Sequence, residues 1–163
     1  MRNLFLLTAS YYFYMNWEPV YALLLLTSTL ITYLAAIGIE YYAEKRKKRL
    51  CLVGSLILNL AILFLFKYYN FVAENISYLM TSCGFFVKMP NFTLLLPVGI
   101  SFYIFQALGY SIDVYRGDTK AEKNFFTYAL FVSFFPQLVA GPIERSTNLL
   151  PQFKKNMLFR MKM

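Results

Sequence analysis

The chain alternates long apolar runs with short polar stretches. Residues 3–17 are apolar and aromatic, at the short end for a membrane span. Residues 20–42 are rich in Leu and β-branched side chains and predict a spanning helix, with a turn at Trp17-Glu18 and Pro19 suited to the first helical turn. Residues 50–66 predict the next span, which continues into Lys67-Tyr68-Tyr69-Asn70-Phe71. Residues 74–92 are mixed and predict an outer loop or a helix lying in the interface. Residues 97–115 predict a fourth apolar helix, with Gly99 and Gly109 allowing close helix approach. Residues 119–124 form a polar connector, the only stretch that resembles a soluble loop. Residues 125–139 are apolar but interrupted by Pro136, and they stop at Ala140-Gly141-Pro142. Proline removes a backbone donor and disfavours helix at the residue before it, so this stretch predicts a broken or re-entrant segment. The expected fold class is an all-α polytopic membrane protein with about four transmembrane helices plus that segment.

Composition strengthens the membrane reading. Of 163 residues, 59% are hydrophobic and 20% aromatic, more than a soluble domain of this size can hide. The formal net charge of +8 raises the question of nucleic acid. The basic residues sit between apolar runs, however, which fits a topology signal and contact with lipid headgroups, and no nucleic-acid partner is expected. Five consecutive basic residues, Lys45 to Arg49, read as a short cytoplasmic loop. With alternating spans, Arg2, that run, Arg116, Lys120 and Lys123 fall on one side and Lys88 on the other. A re-entrant 125–143 also keeps Lys154, Lys155, Arg160 and Lys162 on the cytoplasmic side. Lys67, about 25 Å up the helix from Leu50, is expected to snorkel at the outer interface, with a cavity-facing role as the alternative.

The most unusual stretch is 94–145, which mixes membrane-grade hydrophobicity with Pro, Gly, Gln, Asp, Glu and Arg. Lipid tolerates these residues only where protein or a water-filled cavity covers them. Gln106 needs a partner for its amide. Asp113 and Arg116 share a helix face and can pair. The stretch therefore reads as the lining of an intramembrane site.

Chemistry is bounded mainly by absence. The sequence contains no histidine, which excludes Ser-His-Asp and Cys-His arrangements and any His metal ligand. There is no glycine-rich phosphate loop. Asp113, Asp118 and Glu144 do not form an obvious carboxylate pair. No metal or resident cofactor is expected. Cys51 and Cys83 have neither metal nor disulfide spacing; Cys51, after the basic run, reads as a small buried residue rather than a lipidation site. The triplets Asn75-Ile76-Ser77 and Asn91-Phe92-Thr93 match glycosylation acceptors no better than chance. What remains is an aromatic-rich cavity able to hold an acyl chain, a carrier lipid or a transported solute.

Ordered motifs narrow that choice. Leu96-Pro97-Val98-Gly99-Ile100-Ser101-Phe102-Tyr103, then Phe105-Gln106 and Ile112-Asp113-Val114-Tyr115-Arg116-Gly117, resemble the membrane-bound O-acyltransferase (MBOAT) family. So do Tyr128 through Arg145, which includes Phe134-Phe135-Pro136-Gln137 and Gly141-Pro142-Ile143-Glu144-Arg145, and the closing Leu150-Pro151-Gln152-Phe153. Arg2-Asn3-Leu4-Phe5, Trp17-Glu18-Pro19 and Phe66-Lys67-Tyr68-Tyr69-Asn70-Phe71 fit the subgroup of alginate O-acetyltransferase membrane subunits and D-alanyl transfer proteins.

The resemblance implies that 1–163 is part of a ring of helices around a funnel in the cell (inner) membrane. It implies transfer of an acyl group, in this subgroup acetyl, to a hydroxyl of a cell-surface polysaccharide or polymer. The acyl donor, acetyl-CoA or a carrier-bound acyl group, is a substrate rather than a cofactor. Expected partners are membrane lipid, the polymer acceptor and a separate periplasmic or extracellular acyltransferase protein. Family members run longer and carry their catalytic histidine in a later segment, so no residue here takes that role and the chain alone is expected to be inactive and poorly stable. Gln106, Asp113, Arg116, Gln137, Glu144 and Arg145 are the candidates for the donor-side funnel. The competing role for these six is to satisfy one another at helix breaks. The competing function is a non-enzymatic transport or assembly subunit that retains only the first half of the fold.

Overall fold

The computed structural model describes residues 2–16, 19–82, 99–134, 136 and 146–154. All regular structure among the described residues is helical: α1 (Arg2–Met15), α2 (Pro19–Tyr41), α3 (Lys45–Lys67), α4 (Tyr69–Ser82), α5 (Ile100–Arg116), α6 (Phe125–Ser133) and α7 (Ser146–Lys154). Pro19 opens α2 as its position before the apolar run predicts.

The expected four spans become two helices with the length and apolarity to cross a membrane, α2 and α3, each of 23 residues and so about 34 Å long. The other two expected spans are shorter, α1 with 14 residues and α5 with 17, and α6, in the expected broken segment, has nine. Of the mixed stretch, 74–82 belongs to the 14-residue α4, and the rest lies outside the described residues. Lys88, the expected counter-charge on the other side, is also outside them, as are Cys83 and the Trp17-Glu18 turn.

The basic run is not a loop. Lys45 to Arg49 form the first turns of α3, which follows an extended Glu44 (φ −75°, ψ 123°). Lys and Arg are good helix formers, and no breaker separates them from the apolar run, so the helix extends backward through them. Cations at a helix N-terminus oppose its dipole by roughly 0.3–1 kcal/mol each at low salt. Here the run is largely exposed, and Glu44 pairs with Lys47 at 3.2 Å.

α2 is the shared wall, packing against α1, α3, α5 and α6. Its buried residues Leu25, Ser28, Thr29, Thr32, Ala36 and Ile39 recur at helical spacing. Thr29 and Thr32 return their hydroxyls to the carbonyls of Leu25 (2.7 Å) and Ser28 (2.9 Å), so these polar groups enter the interior satisfied. Ser28 donates across to Asn59 of α3, whose amide donates back to Ser55 O at 3.0 Å. Gly38 beside Cys51 and Ser28 bonded to Asn59 set α3 antiparallel to α2, and Lys67 meets Ser101 where α3 ends and α5 begins.

Two glycines carry conformations that favour glycine. Gly99 precedes α5 at φ 77°, and Gly117 closes it at φ 85°. At that end Gly117 N–H donates to Val114 O (3.1 Å) and Asp118 N–H to Asp113 O (2.9 Å), the paired bonds of a Schellman motif. The expected close approach at Gly109 is not found: among the described residues, nothing lies within 4 Å of where its Cβ would sit. The tight glycine is Gly38, where a Cβ would lie 3.0 Å from Cys51 Sγ. Cys51 is half-buried in that seam, which agrees with its reading as a small packing residue.

Many large apolar side chains point outward, among them Leu23 (64% exposed), Leu34 (63%) and Ile57 (62%). Water would penalise such faces at about 25 cal/mol per Å². The hydrocarbon of a bilayer, or further helices, would not.

Gly38→Leu should force α2 and α3 apart and lower stability by about 1–3 kcal/mol. Gly54→Ala should be neutral or stabilising by up to about 1 kcal/mol, because Gly54 is mid-helix with no neighbour at its Cβ position. Thermal denaturation of the two variants in detergent checks the contrast.

Candidate functional site

A cluster of polar residues lies at one end of the bundle, around the connector 119–124. That connector is not a solvated loop: Ala121 and Glu122 are buried. Three distant side chains hold its backbone. Glu40 Oε2 accepts from Ala121 N–H at 2.6 Å, Tyr110 Oη accepts from Glu122 N–H at 2.7 Å, and Tyr33 Oη donates to Lys123 O at 2.7 Å. Glu122 Oε1 accepts from Asn124 N–H at 3.1 Å. Asn124 then caps α6, its Oδ1 accepting from Phe126 N–H (3.0 Å) and Thr127 N–H (3.3 Å).

Aromatic rings fill the space behind these bonds. Tyr110 and Tyr128 have ring centroids 4.6 Å apart, and Tyr33 lies 5.2 Å from Phe125. Tyr128 Oη donates to Thr32 Oγ1 at 2.7 Å, tying α6 to α2. The six clamping side chains, Tyr33, Glu40, Tyr110, Thr32, Tyr128 and Asn124, were not singled out from the sequence. Their partners lie as far as 96 residues away, and only Asn124, a capping residue before an apolar run, carried a local signal.

α6 is the broken element that Pro136 predicts. It is nine residues long, about 14 Å, and gives way at Phe134 to extended backbone (φ −60°, ψ 101°). Residues 127–133 are all buried. A helix that is apolar all round must be covered, and α1, α2, α5 and α7 cover this one. The last carbonyls of any helix lack partners within it. Gln106, buried on α5, reaches across and donates to Phe131 O at 2.8 Å. The amide that looked out of place in an apolar helix thus serves the end of a broken one.

Asp113 does not pair with Arg116. Asp113 Oδ2 accepts from Ser146 Oγ at 2.7 Å, while Arg116 is exposed at the end of α5, where a cation suits the C-terminal dipole. The Asp113–Ser146 bond brings the start of α7 to the end of the bundle from which α6 departs. A hollow of about 470 Å³ lies there, lined by Asp118, Thr119, Lys120, Glu122, Ser146 and Leu150 among others. It is large enough for part of a small ligand and is bordered by two carboxylates, an ammonium and hydroxyls. These groups can bind and orient.

The six sequence candidates therefore divide. Gln106 and Asp113 hold helix ends, Arg116 stands exposed beside the hollow's end of the bundle, and Gln137, Glu144 and Arg145 lie outside the described residues. Lys67 is exposed at the opposite end, its Nζ 3.4 Å from Ser101 Oγ and 5.5 Å from the Tyr68 ring centroid. That position agrees with a snorkelling lysine. A second, apolar groove of about 410 Å³ runs between α1, α2 and α6, with Leu7, Tyr11, Leu26 and Phe126 among its walls.

Fold and site together describe a helical membrane protein with a clamped polar end. The particular kinship comes from relatives. The chain is 44% identical over 157 residues to the "Probable alginate O-acetylase AlgI" of Pseudomonas putida, an alignment covering 93% of this chain and 31% of that protein. It is 41% identical over 160 residues to the protein of the same name from Pseudomonas aeruginosa, covering 93% and 29%. It is 33% identical over 176 residues to the "Peptidoglycan O-acetyltransferase" of Helicobacter pylori, covering 93% and 32%. No family model and no solved structure matches the chain. The resemblance to membrane-bound O-acyltransferases is borne out: over nearly its whole length the chain is homologous to O-acetylases of this kind. It spans about a third of the length of these relatives.

Gln106→Leu should leave Phe131 O unpaired in the interior and cost about 1–3 kcal/mol. Asn124→Ala should cost about 0.5–2 kcal/mol by uncapping α6, whereas Asn124→Asp should retain the cap. Chemical denaturation in mixed micelles, with amide exchange followed at 125–133, checks both.

Proposed function

We propose that this chain forms the donor-side wall of a membrane O-acyltransferase, which transfers an acyl group, in this case acetyl, to hydroxyls of a cell-surface polysaccharide or related polymer. The observation that carries the reading is homology over 93% of the chain to proteins named for alginate and peptidoglycan O-acetylation. Those names do not favour the transport or assembly alternative.

On this reading the chain sits in the inner membrane with the basic start of α3 on the cytoplasmic side. Arg116, Lys120 and Lys123 share that side, as the positive-inside rule asks. The re-entrant reading of 125–143 is part of this proposal; it is supported by the described residues on either side, since Asn124 and Ser146 both lie at the polar end. Acetyl-CoA or a carrier-bound acyl group enters at the polar hollow. Arg116 stands at that end, Gln106 and Asp113 hold the helix ends around it, and Gln137, Glu144 and Arg145, outside the described residues, remain candidates for the donor-side funnel. The polymer and a separate periplasmic or extracellular protein approach from the other face. The proton leaves the acceptor hydroxyl to a base outside this chain, since the chain has no histidine.

The test is a chimera. This chain replaces the homologous third of the Pseudomonas putida protein in a strain lacking its own copy, and acetyl ester on the secreted polymer is measured. The chimera should restore esters, and the 163-residue chain expressed alone should not. A chimera present in the membrane at normal level without restored ester overturns the proposal.

A further inference from the structure

A third cavity, of about 330 Å³, lies between the last turn of α2 and the connector and shares no lining residue with the 470 Å³ hollow. Ile37, Tyr41 and Ala121 give it apolar walls, and Glu40 and Lys123 stand at it with opposite charges. These two do not form an ion pair with each other; the ion pair among the described residues joins Glu44 and Lys47. Glu40 spends one carboxylate oxygen on Ala121 N–H. Lys123 is exposed, and its carbonyl, not its ammonium, is engaged by Tyr33.

The surroundings mark this level as the membrane interface. Tyr41 is 81% exposed, and Tyr42 stacks edge-on to it at 5.4 Å. Exposed tyrosines of this kind settle at headgroup depth. The basic first turns of α3 begin four residues after Tyr41. Below them the outward face of α2 is apolar, with Leu30, Leu34 and Ile37 exposed.

We propose that this cavity is a binding site for a zwitterionic aminophospholipid of the phosphatidylethanolamine type. The lipid's phosphate lies against Lys123, its ammonium against Glu40, and the start of one acyl chain along Ile37 and Tyr41. An anionic lipid would satisfy Lys123 but would set a second negative charge beside Glu40. A lipid bearing both charges complements both side chains. Because Glu40 also holds Ala121, a bound headgroup would lie directly against the clamp that positions α6.

The test purifies the full chain in mild detergent from membranes containing both phosphatidylethanolamine and phosphatidylglycerol, and quantifies retained lipid by mass spectrometry. The wild-type chain should retain phosphatidylethanolamine enriched over its membrane ratio to phosphatidylglycerol. Lys123→Glu should lower that enrichment roughly fivefold, the factor of about one exposed ion pair. Ile37→Trp, which fills the cavity without touching a charge, should lower it as well. Ile57→Trp, on the outward face of α3, should leave it unchanged. Retention at the bulk membrane ratio, enrichment of phosphatidylglycerol instead, or indifference to both Lys123→Glu and Ile37→Trp would each overturn the proposal.

Discussion

A short buried helix has two ends that it cannot satisfy itself, and in an apolar surrounding no water is at hand to do so. α6 is that helix, and much of the described structure is arranged around its ends. Asn124 accepts the first amides, and Gln106 donates to a carbonyl of the last turn. Those two side chains need fixed bases. Gln106 stands on α5, which is locked against α2 and α3. Asn124 stands on a connector whose backbone is clamped by α2 through Tyr33 and Glu40, and by α5 through Tyr110. The clamp explains why a six-residue polar connector is partly buried.

The same logic accounts for α2 as the shared wall. A helix facing several neighbours in a membrane gains little from large apolar residues, since lipid offers the same contacts. Small and hydroxyl-bearing residues let backbones approach and supply bonds that lipid cannot. Ser28, Thr29, Thr32, Ala36 and Gly38 are that stripe on α2. Two of them bond to other helices, Ser28 to Asn59 and Thr32 to Tyr128. Gly38 permits the tight passage of Cys51. The bulky residues Leu23, Leu30 and Leu34 turn outward instead.

What could be read from the sequence follows from the range of each interaction. Helical runs, the break before Pro136 and the need of Gln106 for a partner are local facts, visible in hydropathy and residue type. The identity of that partner, Phe131 O, is 25 residues away, and the partners of Glu40 and Tyr33 are 81 and 90 away. No local pattern encodes those pairings. Glu40 and Tyr33 sit in an apolar helical run that carries no local sign of a partner. The Asp113–Arg116 pair failed for a related reason: helical spacing licensed it, but Ser146 arrived from another helix to compete for the carboxylate. Gly109 misled because small residues in a span are common, and only packing distinguishes a close approach from an open face. The basic run was misplaced by treating a charge signal as a loop signal. Lys and Arg say on which side a segment lies, not that it is irregular.

The absence of histidine and the presence of the clamp bear on each other. On the proposed function, a chain without histidine contributes geometry, and geometry is worth several kcal/mol of a barrier only if it is held rigidly. The clamp ties α2, α5 and α6 together at the polar end, and the Asp113–Ser146 bond adds α7. Every one of those links ends on a backbone amide, a carbonyl or a short hydroxyl side chain, groups with few rotamers to lose. The wall of the polar hollow is therefore set by short-reach bonds, while the long charged side chains at that end of the bundle, Arg116 and Lys120, remain exposed.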